Sequence, residues 1–368
     1  MARLPTSARF AGAMLRFVPA IGLAALLSGC DMVVLNPMGD VAVQQRNLLV
    51  FALALMLLIV IPVIALVGIF AWKYRANNKE ARYDPDWDHS TKLELVIWSA
   101  PLLIVICLGA ATWTGTHLLD PYRPIERITK GEPVPANVKP LEVQVVSLDW
   151  KWLFIYPEYG FATVNELAAP VDRPIKFRLT SSSVMNAFYV PTLVGMIYTM
   201  PSMETQLHAV INEPGNYDGF SSNYSGAGFS GMRFRFHGME PAQFDQWVAM
   251  NQADGDALTR ASYLQLAKPT ENVPVMRYGR VAPDLFNLVV NHCVEPGSVC
   301  MSEMMKMDRA DPSSIDDEHG MSMPQGHQPQ RPLNSADAGE EPPQSPADVD
   351  QRSRSAPGAL DIPSQRNN

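Results

Sequence analysis

The sequence contains no run of Lys and Arg interleaved with aromatics, and 37 acidic against 29 basic residues leave a formal net charge of -8. That balance argues against a nucleic-acid partner. No Cys-x-x-Cys-His occurs, so covalently attached haem is not expected. Histidine is scarce, with 7 in 368 residues, and the long apolar runs hold none apart from His117 at an outer edge. The chain alone therefore lacks the inward-facing imidazoles that would hold haem among membrane helices. Cysteine is scarcer still: Cys30, Cys107, Cys293 and Cys300. Cys107 sits in an apolar run without a thiol partner and reads as a small core residue.

What is present divides the chain by composition. The first third is strongly apolar, the middle is mixed, and the last fifth is polar and rich in Pro. Residues 1–29 read as an export signal, with Arg3, Arg9 and Arg16 ahead of a short apolar core from Val18 to Leu27. The signal ends in Leu27-Ser28-Gly29-Cys30, which resembles a bacterial lipobox. That resemblance implies lipid attachment at Cys30, and Asp31 after it implies retention in the inner membrane. Residues 30–47 form a short exported segment. Leu48 to Ala71 carries no charge and is long enough to cross a bilayer. Pro62 within it predicts a kink. A second span runs from about Leu95 to Leu119. Lys73, Arg75, Lys79 and Arg82 lie between the spans, so the positive-inside bias places the loop at about 73–92 in the cytoplasm. The amino terminus and everything after residue 120 then face the periplasm.

Residues 120–140 form a Pro-rich linker. From Leu141 to about residue 240, short runs alternate with period two between turn signals, as in Val143–Val146, Ile175–Leu179, Gln206–Ile211 and Met232–Phe236. This argues for an all-β sandwich or barrel. Trp150 and Trp152 flank Lys151 on an early strand, where alternate positions share a face. Residues 241–292 read as a helical extension, with helices expected over Pro241–Asn251, Asp256–Ala267 and Pro283–Asn291. Residues 293–368 read as a disordered tail. Cys293 and Cys300 lie in an exported region and are expected to close a small disulfide loop. Met301, Met304, Met305, Met307, Met321 and Met323, with His319 and His327, supply soft donors suited to copper, set against a plain flexible tail.

The most informative stretch runs from Met185 to Phe236. It contains Asn186 beside an aromatic-Pro strand, then Ser221-Ser222-Asn223-Tyr224-Ser225-Gly226-Ala227-Gly228-Phe229-Ser230-Gly231-Met232. Its frame resembles the copper-binding region of subunit II of the haem-copper respiratory oxidases. The likeness extends over about residues 30–290, through Asp149-Trp150-Lys151-Trp152, Asn212-Glu213-Pro214-Gly215 and Phe244-Asp245-Gln246-Trp247. Members that oxidise cytochrome c carry Cys-x-Glu-x-Cys-x-x-x-His-x-x-Met there, with a second upstream His. On that frame the Cys positions are Ser221 and Ser225, the Glu position is Asn223, the His positions are Asn186 and Phe229, and Met232 alone is retained. Hydroxyl, amide and phenyl groups do not replace thiolate and imidazole at a copper pair.

The resemblance is therefore to the ubiquinol-oxidising branch of that family, and it implies the following expectations. The fold is a two-helix transmembrane hairpin followed by a cupredoxin-like Greek-key sandwich, short helices and a tail. The chain is a subunit of a proton-pumping oxidase that oxidises ubiquinol and reduces oxygen to water. It holds no metal and no catalytic residue of its own. Haems and copper reside in a partner subunit I, and cytochrome c is not a partner. Glu94, at the mouth of the second span, stands at a proton-uptake channel of subunit I; on spacing alone it reads as a solvated carboxylate on a first helical turn. Trp150, where electrons enter in the copper-bearing relatives, is structural here. Two alternatives stand beside this reading: a cytochrome c oxidase subunit with an atypical copper site, and a membrane-anchored copper-binding lipoprotein acting through its Met/His tail.

Overall fold

The computed structural model describes residues 32–310, apart from 83 and 254. Cys30, the expected signal before it, and the expected tail from residue 311 on lie outside the described residues. After a short 3-10 turn at Val33–Leu35, helix α1 spans Asp40–Lys73 and helix α2 spans Thr91–Leu118. Both exceed the apolar runs expected from sequence. The extra turns of α1 carry Asp40, which meets Arg127, Gln45, which lies against Gly195, and Gln44, which bonds Asp40. Pro62 and Pro101 lie inside the helices. Both helices are long and apolar enough to cross a membrane, and the most apolar windows are 0% and 6% buried. An apolar surface this exposed calls for lipid or a neighbouring helix. The hairpin closes where Leu48 packs on Gly115: a Cβ on that glycine would lie 2.8 Å from Leu48 Cδ2.

The start of α1 is built into the β domain. The Met38 and Gly39 N–H groups donate to Thr192 O at 2.9 and 3.0 Å, and Asn212 N–H donates to Met38 O at 2.9 Å. Gly39 is needed for this approach, because a Cβ there would lie 2.5 Å from Val210 O. Asp40, 5% exposed, then receives a two-pronged contact from Arg127, with Nε to Oδ2 at 2.8 Å and Nη2 to Oδ1 at 3.1 Å. Arg127 lies in β1 (Arg127–Thr129), which forms a small ribbon with β2 (Glu132–Pro133).

The sandwich has two sheets. The first contains β3 (Leu141–Leu148), β4 (Lys151–Tyr156), β5 (Phe161–Val164), β7 (Ile175–Ser181), β10 (Thr205–Ala209) and β14 (Met276–Tyr278), in the order β10-β7-β3-β4-β5-β14. The second contains β6 (Glu166–Pro170), β8 (Asn186–Val190), β9 (Val194–Thr199), β11 (Gly215–Ser221) and β12 (Arg233–Met239), in the order β6-β12-β11-β8-β9. The β3–β7 and β6–β12 pairs are parallel. The other ladders of both sheets run antiparallel. Side chains alternate across each strand. Thus Trp152, Phe154 and Tyr156 enter the core between the sheets, against Phe177, Phe188, Phe234 and Phe236.

The other face of the first sheet carries a second core. Leu153 and Ile155 of β4, Val146 and Leu148 of β3, and Ala162 and Val164 of β5 pack there against the extension. The extension supplies β13 (Ala257–Leu258), α4 (Arg260–Leu266), β15 (Arg280–Val281) and α5 (Leu285–Val290). Its Leu258, Tyr263, Leu266, Leu285, Phe286 and Val289 are buried. Burial on both faces explains the unbroken apolar run from Trp152 to Tyr156. Helix α3 (Pro241–Ala253) instead seals the first core with Phe244, Trp247 and Val248.

Three expectations are corrected by the structure. Asp256–Ala267 is a two-residue strand followed by a shorter helix, because Thr259 caps the start of α4 through a reciprocal pair with Ser262. Trp150 is not the strand partner of Trp152; it precedes β4 at the corner from β3, and the Asp149–Trp150 peptide is cis. The tail also does not begin at Cys293. Met301 N–H donates to Asn291 O at 2.9 Å, and a further helix, α6, spans Met301–Ala310.

Candidate functional site

The ligand-frame positions lie at one end of the second sheet, where β8 and β11 are neighbours. Asn186 and Ser221 begin and end those strands and are buried. The Ser221 hydroxyl lies 3.2 Å from both Asn186 Oδ1 and Asn223 O, and it accepts the Ala187 N–H at 3.4 Å. Asn223 Nδ2 donates to Met185 O at 3.1 Å. The network continues inward: Thr199 Oγ1 lies 3.3 Å from Asn186 O and 2.8 Å from Ser147 Oγ. Hydroxyls and amides thus occupy one another across the interior, as most buried polar groups do.

The remaining positions are held differently. The Ser225 carbonyl accepts the Trp150 indole N–H at 3.0 Å. The Ser225 hydroxyl is buried without a hydrogen-bond partner among the described residues. Gly226, with φ of 116°, and Gly228 lie under the Trp150 ring; Cβ atoms there would approach it to 2.9 and 2.6 Å. Phe229 stands edge-on to Tyr224 with ring centroids 5.5 Å apart. Met232 is 1% exposed and belongs to the main core, while its carbonyl accepts Ser221 N–H at 3.1 Å. Two amides, two hydroxyls, a phenyl ring and a buried thioether do not make a donor set for a copper pair. No step is assigned through such a centre in this chain.

Glu94 lies on the first turn of α2, its N–H donating to Ser90 O at 2.9 Å. Its carboxylate meets His89 Nδ1 at 2.7 Å, and His89 Nε2 lies 3.1 Å from Thr91 Oγ1. At 1.5 Å rise per residue it is about 36 Å along the axis from the end of α2 nearer the sandwich. The two candidate sites are therefore far apart. Cys293 and Cys300 are bonded as a disulfide, and Cys107 is a free, half-exposed thiol.

Sequence reading passed over two buried charged groups that hold the extension in place. Lys151 is 1% exposed, and its ammonium donates to Asp149 O and Lys268 O, both at 2.9 Å, and to Thr270 Oγ1 at 2.7 Å. Burial lowers its pKa, a shift that the Asp149 charge opposes. Glu166 of β6 meets Arg277 of β14 through Nε at 3.1 Å and Nη2 at 3.0 Å, with His237 Nε2 at 3.5 Å. Burial pushes the Glu166 carboxyl up, but the hydrogen bonds and charges of His237 and Arg277 outweigh it and hold the carboxyl below its usual range. Nothing local in the sequence marks Lys151 as buried. Glu166 and Arg277 are joined only by the fold.

The COX Aromatic Rich Motif family matches residues 252–297, the segment that builds the second core. A cytochrome bo(3) ubiquinol oxidase subunit 2 of Pseudomonas putida is 50% identical over 274 residues, covering 74% of this chain and 84% of that protein. The chain belongs to the subunit 2 family of the ubiquinol oxidases. Within that family, the ubiquinol oxidase subunit 2 of Acetobacter aceti is 47% identical over 267 residues, 73% of this chain and 84% of its own. The quinol oxidase subunit 2 of Bacillus cereus is 39% identical over 255 residues, 68% and 84% of the two chains. The solved periplasmic domain of cytochrome oxidase subunit II from Bradyrhizobium japonicum is 23% identical, covers 32% of this chain and 95% of that one, and superposes with a TM-score of 0.30.

Proposed function

We propose that this chain is the bracing, metal-free subunit of a proton-pumping oxidase that takes electrons from ubiquinol and passes them to oxygen. The observation that supports the reading most directly is the state of the ligand frame: Asn186, Ser221 and Asn223 satisfy one another, and Met232 is absorbed into the core. Quinol delivers two electrons and two protons within the lipid. A copper relay for a water-soluble one-electron donor has no task in such a complex.

In this account the haems and the oxygen-binding copper reside in a partner subunit I. The hairpin binds that partner in the bacterial inner membrane. The β domain caps it on the periplasmic side, with the signal cleaved and lipid attached at Cys30. Cytochrome c is not a donor. Glu94, beside His89 on the cytoplasmic end of α2, takes up protons for subunit I. The segments 30–47, 48–119, 120–140, 141–240 and 241–292 serve as exported segment, hairpin, linker, cupredoxin-like domain and helical extension. Glu94→Ala tests the proton assignment: quinol turnover should fall while the complex assembles normally, and unchanged turnover would remove Glu94 from the pathway.

A further inference from the structure

We propose that this chain carries a binding site for one zwitterionic aminophospholipid, with an acyl chain in the cleft between α1 and α2 and the headgroup in a polar chamber at its domain end. The inference goes beyond the proposed function and rests on one part of it, that the hairpin crosses the bilayer.

Two recesses adjoin at the domain end of the hairpin. One, an open groove of about 640 Å3, lies between the helices and is walled by Leu48 and Phe51 of α1 and by Ala110, Ala111 and Gly115 of α2. Small side chains on α2 leave this space, and its lining is predominantly apolar. The other, of about 250 Å3, lies where the helix ends meet the 119–127 linker and strands β9 and β10. Gln44, Leu118 and Leu119 line both, so the apolar groove adjoins the charged chamber. The groove falls within the roughly 300–1,000 Å3 typical of small-molecule sites, and the chamber is smaller. An apolar groove beside a charged chamber, at the end of a membrane hairpin, suits an amphiphile.

The charges select the headgroup. The chamber holds the guanidinium groups of Arg123 and Arg127 and the carboxylates of Asp40, Asp120 and Glu126. Asp40 is buried and taken by Arg127. Arg123 meets both Glu126 oxygens at 2.9 Å, and that pair is open to solvent. The Asp120 carboxylate accepts only the Tyr122 N–H, at 2.9 Å, among the described contacts. A phosphate would be drawn to Arg123, and a primary ammonium to Asp120 and Glu126. With carboxylates outnumbering guanidinium groups, a purely anionic head is disfavoured, and a quaternary ammonium cannot donate hydrogen bonds here.

The test uses the intact oxidase complex, incorporated into vesicles of phosphatidylethanolamine and phosphatidylglycerol, re-extracted in detergent and analysed by native mass spectrometry. Wild-type subunit 2 should retain one phosphatidylethanolamine. Ala111→Phe, which fills the cleft, should abolish retention, and the half-exposed Arg123→Gln should weaken it at least tenfold without disturbing the fold. Equal retention in all three proteins, retention of phosphatidylglycerol in its place, or no retained lipid would overturn the site. So would cross-linking that places a partner helix or the chain's own acyl group in the cleft. Failure of the oxidase reading would show separately, as absence of the partner subunit or of quinol oxidation, and would leave the lipid count unaffected.

Discussion

The indole N–H of Trp150 donates to the carbonyl oxygen of Ser225 at 3.0 Å. This bond joins the corner between β3 and β4 to the loop that runs from Ser221 to Met232. The ring also lies on Gly226 and Gly228, where a methyl group does not fit. Gly228→Ala should therefore displace the loop, costing about 1–3 kcal/mol by overpacking. Hydrogen exchange across residues 221–231 should speed up while quinol turnover stays unchanged. A loss of turnover matching the loss of protection would give the loop a role in electron transfer that the account denies it.

The retained thioether gives a second prediction. Met232 is buried among core side chains. Met232→Leu conserves volume and should cost under about 1.5 kcal/mol. Metal analysis of the purified complex should find the same copper content in wild type and variant. A lost copper equivalent would show that Met232 still serves as a ligand.

Lys151 holds the extension through two acceptors, Lys268 O and Thr270 Oγ1, and bonds Asp149 O at its own corner. Lys151→Met keeps much of the apolar stem but leaves those acceptors unpaired, at a cost of about 1–3 kcal/mol. Exchange should rise first at residues 268–270, to which the ammonium is bonded, and at α4. Unchanged protection there would mean that the second core alone secures the segment.

Glu166 gives a pH dependence with a definite sign. Its carboxyl is held below its ordinary value by His237 and Arg277 against the effect of burial. The stabilisation is therefore fully present above the unfolded pKa, near 4.5, and is lost as pH falls through the lower folded value. Exchange at β14 should accelerate on acidification below about pH 4.5. Glu166→Gln should remove that pH dependence and cost about 2–4 kcal/mol by leaving Arg277 unpaired.

Glu94 carries the proton-uptake proposal. Glu94→Ala should lower quinol oxidase turnover about tenfold or more, with subunit content and haem spectra unchanged. Glu94→Gln should behave alike if the proton is what matters, since it preserves shape and polarity. Full activity in both would leave the carboxylate as a solvated group paired with His89.

The two long apolar helices were legible because roughly twenty uncharged apolar residues have few other uses. The sandwich was legible because period-two alternation survives in strands such as β7 and β12. The proximity of Asn186 and Ser221 was legible only through the spacing of one loop and its upstream strand, which the resemblance supplied. That the extension would cover part of the sandwich was legible, but which residues make the second core was not, for physical reasons. Its strands β13 and β14 are too short to show a period, and its partner face lies about a hundred residues away, on β3–β5. Lys151 reads as solvent-facing in any local window, and only the carbonyl of Lys268 and the hydroxyl of Thr270, brought near by the fold, make its burial tolerable. The extra turns of α1 were hidden by polar residues that bond to the domain.

The most direct test of the central claim is oxygen consumption by the purified complex containing this chain, supplied with a reduced ubiquinone analogue in one cell and reduced cytochrome c in the other. The account predicts consumption with the quinol and none above background with cytochrome c. Consumption driven by cytochrome c, with no copper relay on any other chain of the complex, would contradict it.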